Sequence, residues 1–235
     1  MVNSAPAVTT PGPSPLSLAT DDGLRLQASL AEGTGPGLLL AHGFGQTRQA
    51  WLGTQRRLAE SGRASLAWDL RGHGESGRNP AGLPYRGEQF VDDVVLAARA
   101  LGHAPVLVGA SMGGLTGLMA QARHRAFSAL VLVDITPRWE ASGVERILGF
   151  MTAHPDGFAS LEHAAEEIAA YLPHRRQRKS PAQLAHLLRP REDGRLAWHW
   201  DPRLLAEFIP STGDLQGAIE DACRKPLDFD RRVKA

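Results

Sequence analysis

Ser111 is the residue whose surroundings most clearly suit chemistry. It lies in Val106-Leu-Val-Gly109-Ala-Ser111-Met-Gly113-Gly114, a G-x-S-x-G run. An apolar stretch precedes it and a segment of helical spacing follows, so the serine is expected at a tight strand-to-helix turn. Such a turn leaves no room for side chains next to the serine, which accounts for Gly109 and Gly113. It strains the serine backbone and exposes the hydroxyl at the C-terminal edge of the strand. The helix that follows points its positive end at the site, and the Met112 N–H faces a developing oxyanion. The chemistry this suits is nucleophilic attack on a carbonyl. A glycine-rich turn that only packs a helix on a strand is the plainer alternative. The strand before, the helix after and two further loops favour the nucleophile.

The first of those loops is Leu38-Leu-Leu-Ala-His42-Gly43-Phe44-Gly45, again directly after an apolar run. It can supply a second oxyanion donor, the Phe44 N–H, and Gly43 and Gly45 let the backbone come close to a substrate. His42 is expected to hydrogen-bond backbone and brace the turn rather than act as a base. The second loop is Trp68-Asp69-Leu70-Arg71-Gly72-His73-Gly74-Glu75-Ser76-Gly77. Asp69 and Arg71 are expected to pair there, and His73 to brace the loop. A phosphate loop is the rival reading, but the run has no Lys-Ser/Thr ending.

The elements that must hold these loops show in the hydrophobic pattern. Leu16 and Leu18, then Leu24, Leu26, Ala28 and Leu30, alternate on either side of Asp21-Asp22-Gly23 and predict a hairpin. Four short apolar runs follow, Gly37–Ala41, Ala64–Trp68, Pro105–Val108 and Ala129–Val133. Continuous runs of that length suit strands buried on both faces of a parallel sheet. Helical spacing occupies the segments between them: Trp51, Leu52 and Leu58 before Gly62, Phe90 to Leu101, and Gly113 to about Arg125. Strand and helix in alternation predict an α/β fold with a mostly parallel sheet. Residues 1–15 are Pro-, Ser- and Thr-rich and read as a disordered tail. Residues 16–137 and 210–235 read as core, the latter with a helix at Leu215–Arg224. Residues 138–209 read as helices only, at Val144–Thr152, Phe158–Tyr171, Pro181–Leu188 and Arg203–Ile209, forming a helical cap.

Composition narrows the function classes. The chain carries 26 basic and 25 acidic side chains, a formal charge of +1, which gives no reason to expect a nucleic acid or membrane partner. The cluster Arg175-Arg176-Gln177-Arg178-Lys179 reads as a solvated turn. Cys223 is the lone cysteine, so no internal disulfide forms and a reducing cytoplasm is the expected setting. Met1–Ser17 lacks the pattern of a signal peptide, and no apolar run nears the roughly 20 residues of a membrane span. No metal-ligand spacing is present, so no metal or cofactor is expected.

A-H-G-F-G, D-L-R-G-H-G-E-S-G and G-A-S-M-G-G, in this order, resemble the α/β-hydrolase superfamily. Within it the likeness is to the capped lactonase, esterase and cofactor-free haloperoxidase-like group. It covers Leu16 to Ile135, and more loosely Val133–Pro137 and Trp198-His199-Trp200-Asp201-Pro202. The resemblance implies Ser111 as nucleophile and Met112 and Phe44 as oxyanion-hole amides. It implies hydrolysis of an ester, lactone or related small-molecule carbonyl. A serine rather than an aspartate argues against the dehalogenase and epoxide hydrolase branches. In such proteins the acid usually follows the strand after the cap, and the histidine comes later still. Here the chain stops at Ala235, about where that strand is due, so the last strands are expected to be missing. Asp134, after the strand Ala129–Val133, is the candidate acid, at a position some relatives use. The histidines after Ser111 are His124, His154, His163, His174, His186 and His199, and none stands out as a base. A catalytically impaired or binding-only product is therefore the alternative function. The strand Ala129–Val133 is expected to be an uncovered edge, and a homodimer through it is the expected association. Trp139, Phe150 and Trp198 hint at an apolar acyl or ring-bearing substrate.

Overall fold

The computed structural model describes residues 12–102, 104–136, 138, 140–173, 177–208 and 212–224. The chain opens on the hairpin β1 (Ser14–Ala19) and β2 (Arg25–Ala31), turned at Gly23 with φ 85°. There follow β3 (Thr34–Ala41), α1 (Leu52–Glu60), β4 (Arg63–Trp68), α2 (Gly87–Ala100), β5 (Val106–Ala110), α3 (Met112–His124) and β6 (Ala129–Val133). One six-stranded sheet results, in the order β1-β2-β4-β3-β5-β6. β1, β2 and β4 pair antiparallel; β3 pairs parallel with β4 and β5, and β5 parallel with β6.

The apolar runs form the middle of the sheet because both faces are covered. Leu39, Leu40, Leu66, Ala67 and Leu107 have no exposed surface. α1 packs against β4, α2 against α3, and α3 against both β5 and β6. The parallel arrangement sets the loops after β3, β4 and β5 at one end of the sheet, the usual place for a ligand in such folds. β1 tolerates Pro15 because it is an edge strand. Among the described residues β6 is the other edge.

After β6 come α4 (Ala141–Thr152), α5 (Leu161–Tyr171), α6 (Pro181–Leu184), β7 (Leu188–Pro190), β8 (Leu196–Trp198), α7 (Arg203–Phe208) and α8 (Thr212–Arg224), the last packed on α3. No helix among the described residues is long and apolar enough to cross a membrane.

Two expectations are corrected. Segment 138–209 is not helical only, because β7 and β8 pair antiparallel around a turn at Gly194, φ 78°. Phe158 adds a two-bond bridge to Leu196, with N···O distances of 2.6 and 2.8 Å. The tail is shorter than expected, since Ser14 and Pro15 already belong to β1. Residues 1–11 of that tail, Trp139 and His174 lie outside the described residues, as does everything after Arg224.

Candidate active site

β5 delivers Ser111 to the first turn of α3 with φ 45° and ψ −119°. A non-glycine residue there is strained by about 1–3 kcal/mol and persists only because its surroundings fix it. The glycines show how. A Cβ on Gly109 would lie 2.6 Å from the Gly114 Cα, and one on Gly113 would lie 2.7 Å from the Ala41 Cβ and the His42 carbonyl oxygen. The Ser111 N–H donates to the Val133 carbonyl at 3.1 Å, tying the turn to β6. The Met112 N–H begins α3 and so has no acceptor within its own helix.

The loop after β3 lies directly against this turn. A Cβ on Gly43 would stand 3.2 Å from the Ser111 Cβ. Three buried histidines hold the loop, each at a successive peptide group. His42 Nδ1 donates to the Gly43 carbonyl at 2.8 Å, fixing the peptide that carries the Phe44 N–H. The Gly45 N–H donates to His73 Nε2 at 3.2 Å. His199 Nε2 donates to the Gly45 carbonyl at 3.2 Å. Gly45, at φ 74°, takes a conformation that favours glycine.

Each imidazole uses its second nitrogen on the loop after β4. The Leu70 N–H donates to His42 Nε2 at 3.0 Å, and the Gly74 N–H to His199 Nδ1 at 2.7 Å. His73 Nδ1 donates to the Arg71 carbonyl at 3.1 Å. These partners fix one neutral tautomer for each ring. Burial pushes all three below the ordinary 6.5, His73 well below it with the nearby His42 and His199 adding to the effect. His199 falls to about 3, with burial as the main cause. As expected, His42 and His73 brace backbone.

The pairing expected between Asp69 and Arg71 does not occur. Asp69 binds the Arg48 side chain, accepts from the Arg48 N–H at 2.7 Å and accepts from the Glu75 N–H at 2.9 Å. Arg71 turns the other way and meets Asp93 through two bonds of 2.7 Å, with Asp22 as a further partner at 2.7 Å. Both carboxylates sit on elements whose approach to the loop depends on the tertiary fold.

Register sets Asp134 beside Ser111, since Ala110 pairs with Val133. Asp134 is exposed and has φ 54°. Among the described residues no histidine hydrogen-bonds to Asp134 or to the Ser111 hydroxyl. His154 and His163 instead approach Glu167, at 3.5 and 3.7 Å. His186 is half-buried with its Nε2 unpaired, and burial lowers its pKa. No cluster of His, Cys, Asp and Glu among the described residues is fit to hold a metal.

Trp198–Asp201 runs across the two loops as a strap. Trp200 packs on Phe44 with ring centroids 5.0 Å apart. The Asp201 N–H donates to the Gly72 carbonyl at 2.8 Å, and the Asp201 carboxylate accepts from the Tyr85 hydroxyl at 2.8 Å. A cleft of about 100 Å³, open to solvent, adjoins Gly45 and Gln46. Its other walls include Phe150, Met151, Tyr171, Leu187 and Trp198, with Lys179 at one side. Phe150 and Tyr171 stack at 4.1 Å. The roles of Arg48, Asp93, His199 and Asp201 were not foreseen from sequence. Only the Trp198–Pro202 likeness pointed toward any of them.

The family model described as alpha/beta hydrolase fold matches residues 36–215. The chain belongs to the α/β-hydrolase family. Among curated relatives, an esterase of Mycobacterium tuberculosis is 28% identical over 201 residues, covering 80% of this chain and 62% of that protein. A pimeloyl-acyl-carrier-protein methyl ester esterase of Xanthomonas campestris pv. campestris is 37% identical over 109 residues, covering 46% of this chain and 40% of that protein. The chain thus spans less than two thirds of the length of either relative. Among solved structures, an M. tuberculosis esterase is 27% identical with a TM-score of 0.64, over 91% of this chain and 72% of that one. An α/β-hydrolase of Novosphingobium aromaticivorans, 24% identical with a TM-score of 0.70 over 82% of this chain and 70% of that one, shares the fold.

Proposed function

We propose that this α/β-hydrolase family member cleaves an ester-type carbonyl substrate with Ser111 as nucleophile. The strained Ser111 turn, with Gly43 packed against it, is the observation that carries the reading. The Ser111 oxygen attacks the carbonyl carbon, and the tetrahedral oxyanion sits on the Phe44 and Met112 amides. The serine proton passes by way of solvent to the departing alkoxide, whose expulsion as the alcohol leaves an acyl-enzyme; water then hydrolyses it to the acid and free Ser111. Asp134 is the candidate acid, placed beside Ser111 by the β5–β6 register. The α4–α7 segment acts as a cap, and its apolar cleft suits an apolar acyl or ring-bearing group. The relatives named as esterases support the ester class. No metal or cofactor takes part in these steps, and a cytoplasmic setting fits the single cysteine.

A second reading is a binding-only or catalytically impaired protein. It is favoured by the lack, among the described residues, of an imidazole bonded to Ser111. Acylation by p-nitrophenyl acetate separates the two. The first reading expects a burst of p-nitrophenol with an acyl group on Ser111, and no burst in Ser111→Ala. Without an aligned imidazole, turnover stays far below that of a complete triad, near the roughly 10³–10⁴ over water left by the hole and binding. If Asp134 acts as the acid, Asp134→Asn lowers the rate by about 10⁴; a change of less than about tenfold would remove Asp134 from the mechanism. Absence of both burst and turnover leaves the second reading.

A further inference from the structure

We infer that His199 is a positioning residue for the oxyanion hole, delivered by the Trp198–Asp201 strap. The inference rests on the reading of Ser111 and the Phe44 amide given above. Three successive peptide groups of the loop after β3 are each held by one imidazole, as the bonds to Gly43 O, Gly45 N and Gly45 O show. His42 and His73 belong to the two loops they join. His199 comes from the segment after β8, and it closes the last of the three peptide groups.

The geometry gives His199 a job that burial alone does not. Its ring accepts from Gly74 and donates to Gly45, so it spans the two loops at 2.7 and 3.2 Å. It is 2% exposed, so no water competes for these bonds. Its ring centroid lies 5.8 Å from that of His73, which holds the other side of Gly45. With both the N–H and the C=O of Gly45 fixed, the loop cannot rotate the neighbouring Phe44 peptide away from the site. The groups facing His199 from packed elements include His42, His73, His186, Arg189 and Arg78, the last donating to the His199 carbonyl at 2.9 Å, and none of these is an acid that would charge it. The ring stays neutral, as an acceptor for Gly74 requires. Trp200, the next residue, lies on the Phe44 ring, so the strap holds the Phe44 side chain through Trp200 and the backbone one residue further on, at the Gly45 carbonyl, through His199.

Paired inhibitors that differ only at the reacting carbonyl provide the test. A trifluoromethyl ketone forms a tetrahedral adduct whose oxyanion uses the hole; the matching methyl ketone binds without it. The ratio of the two affinities reads hole geometry, while the methyl ketone alone reads the cleft. His199→Gln can still present an amide N–H near the Nε2 position, whereas His199→Asn reaches only toward Nδ1. The expected result is an affinity ratio that falls roughly 10- to 100-fold in His199→Asn and is largely kept in His199→Gln, with methyl ketone binding unchanged in both. His199→Phe, if it folds, should behave like the asparagine variant. Equal ratios in wild type, Asn and Gln variants would overturn the positioning role, as would parallel losses for both ketones. Ser111→Ala is the control for the underlying reading. If it leaves the wild-type ratio unchanged, the nucleophile assignment fails, and that is distinguishable from failure of the His199 assignment alone.

Discussion

Arg71 and Asp93 form a two-bond pair at 2.7 Å with both side chains buried. The pair fastens the loop after β4 to α2, and that loop carries His73. Removing one partner of a buried pair leaves an uncompensated charge, at about 3–5 kcal/mol. Asp22 and Asn79 also contact Arg71 and keep the loss toward the lower figure. Asp93→Ala should therefore lower the free energy of unfolding in urea by about 3 kcal/mol. A loss under about 1 kcal/mol would mean the pair is not what holds the loop.

The glycines of the Ser111 turn differ from those elsewhere. Gly113→Ala forces a methyl against Ala41 and the His42 carbonyl at 2.7 Å. It should destabilise the chain by about 1–3 kcal/mol and suppress Ser111 reactivity. Gly53, inside α1, has nothing within 4 Å of an added Cβ. Gly53→Ala should raise stability by about 0.5–1 kcal/mol. Similar responses at the two positions would remove the steric account of the turn.

Acid sensitivity should begin well above the carboxylate range. His42, His73 and His199 are all depressed below 6.5, the last to about 3. As pH falls through 6.5 the unfolded chain takes up protons that the folded chain refuses, so stability falls. Each histidine contributes a slope of up to about 1.4 kcal/mol per pH unit between its folded value and 6.5, and the slope vanishes above that window. Asp22, held below its ordinary 3.8 first by its bond to Arg71, acts in the same sense but at lower pH. Urea midpoints should drop from pH 7 to pH 5, less steeply in His199→Phe. Flat stability across that interval would contradict the neutral, buried assignment.

Among the described residues β6 is an edge strand, and on one of its faces Val131 is 47% and Val133 37% exposed. Unpaired strand edges of this kind associate unless charge or proline blunts them. Concentration-dependent self-association on size exclusion is the expected behaviour, reduced by Val131→Lys. A monomer at every concentration, indifferent to that substitution, would show that the edge is otherwise protected.

The parts of this fold legible in sequence are those where neighbours in the chain carry the signal. Leu38–Leu40 and Val106–Val108 read as buried strands because both faces of the sheet are covered, and Ser111 was marked by the glycines its turn requires. β7 and β8 are not legible in the sequence because three-residue strands are too short to show a period. Arg71 was matched with Asp69 by proximity in sequence, yet its partner Asp93 lies 22 positions away. His199 was marked only by the Trp198–Pro202 resemblance, and its role exists only because β8 ends beside Gly45.

Peptide mapping after treatment with a fluorophosphonate bears most directly on Ser111 as the nucleophile. A single phosphonylated peptide containing Ser111, absent from Ser111→Ala and diminished in Gly113→Ala, is the expected result. Modification of another residue with Ser111 untouched, or equal labelling of the alanine variant, would contradict it.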